Sequence, residues 1–460
     1  MPNEIARMMC MTLCLTSVSG FVSLSPAVLR TPLSPQHLQP HFVEPRLATR
    51  SLARPFGPRM SAAVQPSPAA STEGVVVDKD PPARPVIVGS GPTGLACAVM
   101  LARRGWTNIQ VYDRLPPPPP KDSDEWGNPE RSYNVGINGR GQTSLAKLGV
   151  WEDVDAVCAD VTGRREWVPG KDGSTDINTS RKRGFNTKIV PRDLLQSTLV
   201  EHIEGSAELS GRINIHFSTM CTRVELSNDM SKPTLLTFQK TRLNTPSPAD
   251  TSASKRATAT QERPRSTVTV VGDKEVVFAD FVVGADGFRS QIRDAMVEDE
   301  SPLREKGLKV RVYPDDNVRV YKTIPLDIKE DTDLNYSARG DSDINFDALP
   351  SKQGGYLGVV IFRPDDKRVT GVQTGADALR LFEEHLPAIV PLLSPSSCDK
   401  FASKPVSRFP TFLSTGPALH RGSNMVLLGD CIHTVKPFFG LGVNSAFEDI
   451  VVLDKSLTKG

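Results

Sequence analysis

The sequence predicts an α/β fold built around a Rossmann-like dinucleotide-binding domain. Three observations support this prediction. Residues 86–114 read as strand, glycine-rich turn, helix and strand. Two later apolar strands run directly into Asp286-Gly287 and Gly429-Asp430, and segments with period-two patterning fill much of the chain between the motifs.

The first of these segments contains each part of a dinucleotide-binding βαβ unit in order. An apolar strand (86–88) leads into Gly89-Ser90-Gly91-Pro92-Thr93-Gly94, and apolar residues at helical spacing follow over 95–102. Two arginines and then Gly105 end the helix, and a second strand (109–112) runs into Asp113.

Each glycine of this turn has a separate role in binding a dinucleotide. Gly89 permits the tight turn, Gly91 lets the backbone approach a pyrophosphate, and Gly94 allows the helix to pack closely on the strand. The helix N-terminus offers N–H groups and a positive dipole end to phosphates. Asp113 stands where a carboxylate accepts hydrogen bonds from a ribose. The motif alone predicts NAD and FAD equally.

The composition is that of a globular protein with balanced charge. The 460 residues suffice for two to three domains, and the net charge of +2 gives no reason to expect a nucleic acid partner. Seven cysteines are scattered without metal-site spacing, so we interpret them as reduced structural thiols and expect no metal. We expect no membrane span, because the one apolar run near the N-terminus is too short.

Residues 1–82 are predicted to form a targeting leader and a disordered linker. Arg7 precedes an apolar run (8–18) and small residues before Phe21, as in a signal peptide. Residues 22–71 are rich in Pro, Ser, Ala and Arg with Glu44 as their only acid, which is typical of a transit peptide. This order resembles the bipartite leaders of plastid proteins in algae with complex plastids. The alternatives are a mitochondrial or secretory leader, or a mispredicted start of the sequence.

The remaining patterning predicts strands and helices with one low-complexity interruption. Residues 244–265 have no packing content and are interpreted as a disordered insertion within a β-meander. In chain order we expect a polyproline loop (116–120), a strand (131–138), helices (141–148 and from 151), turns and strands (163–185), a helix (189–202), meander strands (213–217 with 221–226, 234–239, and 267–271 with 276–278 after a break), a buried strand (281–284), further strands (309–362), an amphipathic helix (379–393), a strand (425–428) and a last helix from 443.

Three separated motifs occur in one order: Gly89-x-Gly91-x-x-Gly94, Asp286-Gly287-x-x-Ser290-x-x-Arg293, and Gly429-Asp430 continuing as CIHTVKPFFGLGVNSAFED. Together they resemble the single-component FAD-dependent aromatic monooxygenases, the p-hydroxybenzoate hydroxylase-like flavoproteins. The resemblance implies FAD as cofactor, NADPH as co-substrate, and a Rossmann-like FAD-binding domain interleaved with a mixed β-sheet substrate domain. It assigns 83–158, 184–300 and 418–460 to the FAD-binding domain, and 159–183 and 301–417 to the substrate domain.

The same resemblance implies roles for individual residues. The first motif binds the ADP half of FAD, and the second bridges to the pyrophosphate and is associated with the nicotinamide coenzyme. Asp430 accepts from the ribityl hydroxyls, Arg192 lies near the flavin, and the helix near 443 points its positive end at the flavin edge. The implied cofactor-binding residues are Gly89, Gly91, Gly94, Asp113, Arg192, Asp286, Gly287, Arg293, Gly429, Asp430, Asn444 and, lining the isoalloxazine, Pro437, Gly440 and Gly442.

Four segments give the chain a closer likeness to the kynurenine 3-monooxygenases of that family: RSYNVGINGRGQTSLAKLGVWED, VYKTIP, FEEHLPAIVPLL and PFFGLGVNSAFED. Arg165 falls where those enzymes have an arginine for the substrate carboxylate, and Arg164 is the alternative. The likeness implies hydroxylation of the aromatic ring of L-kynurenine to 3-hydroxykynurenine with one oxygen atom of O2.

Several positions depart from that pattern. Thr179 stands where a tyrosine partner for the carboxylate is expected, Cys431-Ile432 replaces a pair of alanines, and Lys436 replaces an apolar residue. The chain ends at Gly460, within the helix after the third motif, whereas the resembling enzymes continue with helices that close the substrate pocket. We therefore expect either a truncated sequence or a pocket built in another way.

These departures leave other functions open. One is a hydroxylase or epoxidase of the same fold acting on a phenol, a quinone precursor or a carotenoid. A second is a reductase or halogenase, although no WxWxIP-like halogenase sequence is found, and a third is a non-catalytic FAD-binding protein. No residue is assigned as catalytic, because the cofactor carries the chemistry. We interpret His433 as structural rather than as a general base, since the sequence reveals no partner acid.

Overall fold

The computed structural model describes residues 77–127, 133–168, 173–244, 267–315, 317–328, 333–340, 343–435 and 442–459. Residues 1–76 of the predicted leader, the predicted insertion apart from Asn244, and Lys436, Pro437 and Gly440 lie outside the described residues. No helix within these ranges is both long enough and apolar enough to cross a membrane.

Short strands and helices follow one another along the chain. The strands are β1 (Pro85–Val88), β2 (Ile109–Tyr112), β3 (Asn134–Ile137), β4 (Ala159–Val161), β5 (Gly163–Trp167), β6 (Thr175–Asn178), β7 (Thr187–Pro191), β8 (Ile213–His216), β9 (Thr219–Glu225), β10 (Thr234–Asn244), β11 (Thr267–Ala279), β12 (Phe281–Gly284), β13 (Leu308–Val312), β14 (Val320–Leu326), β15 (Leu334–Arg339), β16 (Asn345–Pro350), β17 (Tyr356–Phe362), β18 (Ser407–Arg408), β19 (Leu413–Pro417), β20 (His420–Arg421), β21 (Met425–Leu427) and β22 (His433–Thr434). The α-helices are α1 (Pro92–Arg103), α2 (Gly139–Leu148), α3 (Trp151–Val157), α4 (Ser180–Arg183), α5 (Arg192–Gly205), α6 (Ala207–Ser210), α7 (Gln291–Glu298), α8 (Lys367–Thr370), α9 (Gly375–His385), α10 (Pro395–Ser403) and α11 (Gly442–Lys459).

A largely parallel sheet carries the dinucleotide-binding motif. Its strand order is β20-β21-β12-β1-β2-β8, and β1 pairs in parallel with β12 on one side and with β2 on the other. Every residue of β1 and β12 is buried, as their apolar runs predict. Because β1, β12 and β21 are parallel, the loops that follow them meet at the same edge of the sheet. The predicted α/β, Rossmann-like fold class is confirmed.

The second large sheet is mixed, with the strand order β18-β14-β17-β16-β15-β5-β6. The β15–β5 pair is parallel, whereas the other pairs are antiparallel. One face packs against α9 and α10 through an apolar cluster that contains Phe346, Phe362, Phe382 and Phe401. Residues of the opposite face alternate with this cluster along each strand.

The predicted β-meander is smaller than expected. Ile213–His216 forms β8, which pairs with β2 at the edge of the parallel sheet and is therefore not part of the meander. The meander consists of β9, β10 and β11. Its third strand runs through the predicted break near Gly272, because a bulge at Gly272 and the next residue of the same strand absorbs the irregularity. Asn244, predicted to begin the insertion, still pairs with Thr267.

Two predicted helix boundaries were wrong for local reasons. The segment predicted as a helix from residue 189 begins as β7, because Ile189 and Val190 are buried and pair with β3; the helix starts at Arg192. The helix predicted over 379–393 ends at His385 and continues as a 3-10 turn, Pro387–Leu392. The residue before a proline is excluded from helical geometry, which accounts for this break.

Lys322 is a buried cation in the core of the mixed sheet. Only 4% of the residue is exposed, and its Nζ lies 4.6 Å from the ring centroid of Phe401 and 3.4 Å from the carbonyl oxygen of Ala402. Burial, together with the nearby charge of Lys404, lowers the pKa of Lys322 to about 8. Burying this amine away from water therefore costs folding free energy.

Replacing Lys322 with methionine is expected to raise the free energy of unfolding at pH 7 by about 1–3 kcal/mol, since an apolar side chain removes the cost of burying the amine. The folded pKa is about 8 and the ordinary value 10.5, so the advantage of Lys322→Met shrinks as the pH rises from 8 to 10.5. Urea denaturation of both proteins across this range measures the effect. Lys309→Met, at an exposed strand position, serves as control, and an equal gain there would contradict the prediction.

Candidate cofactor and substrate site

The first motif forms a tight turn between β1 and α1. Gly89 has φ +107°, and a Cβ built there would lie 2.2 Å from the carbonyl oxygen of Ala285, so only glycine fits. A Cβ on Gly94 would lie 1.9 Å from the carbonyl oxygen of Gly89, so the helix packs directly on the turn. At Gly91 the nearest atom would be Nη2 of Arg192 at 3.8 Å, which leaves room for a ligand beside the helix N-terminus.

The other two motifs reach the same place. Ala285 and Asp286 follow β12 and lie against Gly89. A Cβ built on Gly429 would lie 2.8 Å from Oγ1 of Thr93 in α1. Sγ of Cys431 lies 3.3 Å from Oδ1 of Asp286. The three motifs, far apart in sequence, therefore form one continuous surface at the edge of the parallel sheet.

Asp113 is held at the end of β2 with its carboxylate directed at the glycine turn. Its Oδ2 accepts hydrogen bonds from the backbone N–H and hydroxyl of Ser90 at 2.7 and 3.0 Å, and its Oδ1 accepts from the N–H of Leu115 at 2.8 Å. Gln196 in turn donates to the carbonyl oxygen of Ser90 at 2.9 Å. Oδ1, which accepts one hydrogen bond, retains a lone pair, so Asp113 can still accept from a ribose hydroxyl.

Hydrogen bonds within the second motif hold its own loop in place. Oδ2 of Asp286 accepts from the N–H of Gln291 at 2.7 Å, and burial raises the pKa of this carboxyl although its hydrogen bonds oppose the rise. Arg293 is buried and donates to the carbonyl oxygen of Phe288 at 2.8 Å and to the next carboxylate along the chain. Arg293 therefore stabilises the loop itself. Among the described residues, no atom lies within 4 Å of a Cβ built on Gly287, which leaves room for a ligand there.

Arg192 and Asp430 lie close together beside this surface. Nη1 of Arg192 donates to Oδ1 of Asp193 at 2.8 Å. Burial opposes its charge, but Tyr133, Asp193 and Asp113 raise the pKa of Arg192 above its ordinary value. Asp430 is exposed, yet the surrounding protein raises the pKa of its carboxyl, while the positive charge of Arg192 opposes the rise. A cation and a hydrogen-bond acceptor thus lie side by side.

His433 forms a buried ion pair with Asp449. Its Nε2 lies 2.7 Å from Oδ2 of Asp449, and the same oxygen accepts from the N–H of Gly429 at 3.0 Å. Burial works against protonation of the imidazole, but Asp449 and Asp430 raise the pKa of His433 to about 9. This pair ties the third motif to α11, which agrees with the interpretation of His433 as structural.

The N-terminus of α11 points toward the same site. A Cβ built on Gly442 would lie 4.0 Å from Oδ1 of Asp430. Asn444 is fully buried, where its Oδ1 accepts from the N–H of Asn138 at 2.9 Å and its Nδ2 donates to the carbonyl oxygen of Gly136 at 2.8 Å. Asn444 thus fixes the start of α11 against β3 and α2, and the positive end of an 18-residue helix lies next to Asp430.

The mixed sheet supplies the opposite wall. The electrostatic neighbours of the Tyr133 hydroxyl include Arg192 and Asp430 on the cofactor side and Tyr321 of β14 on the sheet side. Tyr321 belongs to the sheet face that α9 and α10 do not cover. We call this the cleft face; by pairing and alternation it also carries Thr323, Asn345, Asp347, Asn335, Ser337, Arg164 and Glu166.

The two candidate substrate arginines lie on opposite faces of β5. Arg165 lies on the helix-covered face, where it forms a two-pronged ion pair with Asp176 at 2.8 and 2.9 Å and lies 5.6 Å over the ring of Tyr336. Arg164 lies on the cleft face, where it pairs with Glu166. Alternation along a strand sends neighbours to opposite faces, so Arg164 shares the cleft face with Tyr321 and Arg165 does not. Which of the two arginines binds the substrate carboxylate stays a prediction.

An extended dinucleotide fits the surface that the three motifs form. Open space at Gly91 and Gly287 adjoins the N-terminus of α1 and the guanidinium of Arg192, which suits a pyrophosphate. Asp113 and Asp430 offer carboxylate oxygens to sugar and ribityl hydroxyls.

Comparison with known proteins identifies the family. Residues 83–459 match the family described as FAD binding domain. The chain belongs to this family. The match covers the parallel sheet, the mixed sheet and all three motifs. FAD is therefore the cofactor, as predicted.

Named relatives agree with this assignment. The chain is 27% identical over 391 residues to a kynurenine 3-monooxygenase of Salinispora arenicola, covering 82% of this chain and 72% of the relative. It is 25% identical to that of Dictyostelium discoideum over 386 residues, covering 81% of this chain and 70% of the relative. The fold is similar to the tetrameric form of 2-methyl-3-hydroxypyridine-5-carboxylic acid oxygenase, with a TM-score of 0.55, 17% identity, and coverage of 83% of this chain and 84% of that one.

The predicted resemblance to FAD-dependent monooxygenases, and to the kynurenine 3-monooxygenases among them, is confirmed. The chain is an enzyme of the flavoprotein monooxygenase class. Sequence reasoning missed Asp449 and Tyr133. Asp449 had a detectable signal, because it stands among the core-facing residues Ala446, Ile450 and Leu453 of α11, where a carboxylate needs a buried partner. Tyr133 had none.

Proposed function

We propose that the protein hydroxylates the aromatic ring of L-kynurenine to 3-hydroxykynurenine, using NADPH and O2. The observation that carries the proposal is that Arg164 shares the cleft face with Tyr321, in a chain similar to kynurenine 3-monooxygenases over four fifths of its length. FAD, when bound and reduced, supplies the oxygen transfer.

In this proposal the protein binds and orients the two reactants. Arg164 binds the substrate carboxylate, and contacts with the cleft face orient the aromatic ring toward the cofactor surface. Arg192 and the start of α11 stabilise negative charge on the cofactor. The pKa of the Tyr133 hydroxyl is raised by the protein around it, although 55% of the residue is exposed, so it remains a neutral hydrogen-bond donor between the two walls.

A second candidate is hydroxylation of a phenol or quinone precursor by the same machinery. It is favoured by Thr179, which stands where the resembling enzymes have a tyrosine. Thr179 directly precedes α4, and its hydroxyl donates to the carbonyl oxygen of Thr162 at 3.3 Å.

The experiment is a steady-state assay of the FAD-loaded protein. We expect L-kynurenine to stimulate NADPH oxidation, with 3-hydroxykynurenine as product, and NADH to be a poorer reductant. Parallel assays use a panel of phenols. Stimulation by a phenol with no response to L-kynurenine would favour the second candidate, and no stimulation by any substrate would refute both.

Replacing Arg164 with methionine is expected to raise the KM for L-kynurenine about 10- to 100-fold, the effect of losing a charge-assisted hydrogen bond. Arg165→Met serves as the matched control, since that side chain lies on the other face and pairs with Asp176. Its KM is expected to change less than about twofold, the size of a surface effect. Equal effects of the two variants would contradict the assignment of Arg164 to the substrate side.

We further propose that residues 1–82 direct the protein to a plastid, on the strength of the signal-like run followed by an acid-poor segment. Fusing these residues to a fluorescent protein in an alga with a complex plastid tests the proposal. Mitochondrial fluorescence would support the alternative leader.

A further inference from the structure

On the cleft face, two polar atoms of residues that are paired across neighbouring strands have no hydrogen-bond partner among the described residues. Within the part of the chain that the structure describes, Nε of Arg164 is a buried donor without an acceptor, and Oδ1 of Asn335 is a buried acceptor without a donor. The two residues are directly paired across the parallel strands β5 and β15, so their side chains leave the same face. Adjacent parallel strands lie about 4.8 Å apart.

Such a pair is unusual because each unpaired buried group costs about 1–3 kcal/mol. Neither atom satisfies the other, although their residues are neighbours. Elsewhere in the same sheet the polar groups are bonded, for example the Ser337 hydroxyl to Asp347 at 2.8 Å. An unused donor beside an unused acceptor is the complement of a ligand that carries an acceptor and a donor on adjacent atoms.

The charges around the pair narrow the choice of ligand. Glu166 lies on the same face, one pleat from Arg164, and forms an ion pair with it. Its register partner is Ser337, two residues beyond Asn335. A simple carboxylic acid entering here meets the negative charge of Glu166 as well as the positive charge of Arg164. A zwitterion can place its carboxylate beside Arg164 and its ammonium group beside Glu166, so that both contacts are attractive.

We propose that Asn335, assisted by Glu166, binds the α-ammonium group of an amino-acid substrate whose carboxylate is held by Arg164. This inference rests on the proposed substrate cleft and adds a specificity-determining residue to it. It commits the enzyme to aromatic α-amino acids over the corresponding acids that lack the amino group.

The test compares L-kynurenine with 4-(2-aminophenyl)-4-oxobutanoate, which differs only by loss of the α-amino group. In the unaltered enzyme the KM of the analogue is expected to be about 10- to 100-fold higher, as for loss of a charged hydrogen bond. In Asn335→Leu the KM for L-kynurenine should rise by the same factor and the two compounds should become equal. A variant that raised both KM values in parallel would refute the proposal.

Two controls separate a binding role from a structural one. Asn335→Leu is expected to keep its FAD and its melting temperature, because replacing an unpaired buried amide by an apolar group is nearly neutral. Asn214→Leu, at an exposed position on β8, should retain the preference for the amino acid. Loss of FAD from Asn335→Leu would assign Asn335 a structural role and overturn the inference.

A failure of the proposed function is distinguishable. If L-kynurenine is not hydroxylated, titrations that follow the flavin absorbance compare L-tryptophan with indole-3-propionate and L-tyrosine with 3-(4-hydroxyphenyl)propionate. Tighter binding of the amino acids, lost in Asn335→Leu, would uphold the inference without kynurenine. Equal binding within each pair would overturn it.

Discussion

Replacing Gly94 with alanine is expected to destabilise the protein by at least about 3 kcal/mol, the upper end of the cost of overpacking. The added Cβ would lie 1.9 Å from the carbonyl oxygen of Gly89. That oxygen cannot retreat, because the same residue donates its N–H to the carbonyl oxygen of Tyr112 at 2.8 Å. Urea denaturation of FAD-free protein measures the loss.

Gly91→Ala is the matched variant in the same turn. Gly91 has φ −61° and ψ 173°, which alanine adopts freely, and the nearest atom to the new methyl group would lie 3.8 Å away. We expect the FAD-free variant to fold almost normally but its Kd for FAD to rise about 10-fold or more, because the methyl group occupies the approach of the pyrophosphate. Flavin fluorescence titration measures this Kd. If both variants lost stability equally, the separation of a packing glycine from a binding glycine would be wrong.

The parts of the fold that follow from local pattern were predictable from the sequence. The apolar run before Gly89 and the helical spacing after it determine β1 and α1, because a buried parallel strand and a buried helix leave distinct periodicities. Which strands pair with one another was not predictable from the sequence. Nothing within Ile213–His216 indicates that β8 joins β2 instead of β9, since that choice depends on which edge of a sheet is free.

The candidate site likewise has parts that the sequence predicts and parts that it does not. Glycines and acids at strand ends are visible in the sequence because their spacing is fixed by the ligand that they bind. The choice between Arg164 and Arg165 required the register of β5, since a shift of one residue exchanges the two faces. The partner of His433 stands 16 residues later on α11, and only the folded chain brings the two together.

Replacing Asp449 with leucine is expected to cost about 3–5 kcal/mol, the usual effect of removing one partner of a buried ion pair. It leaves the imidazole of His433 buried without an anion and the N–H of Gly429 without an acceptor. We expect FAD affinity to fall with stability, because the Gly429 turn positions Asp430. Denaturation and flavin titration measure the two losses.

The double variant His433→Leu/Asp449→Leu tests whether the loss of stability in Asp449→Leu comes from the unpaired charge or from the changed shape of the side chain. Replacing both partners by apolar groups should recover much of the stability lost in Asp449→Leu.

The pH dependence of the free energy of unfolding gives an independent test of the same ion pair. The folded pKa of His433 is about 9 and the ordinary value 6.5, so the folded state holds the proton more tightly. This stabilisation, about 3 kcal/mol, is complete below pH 6.5 and is lost as the pH rises through 9. The double variant should lack that decline, and a decline of equal size in both proteins would show that the buried pair does not cause it.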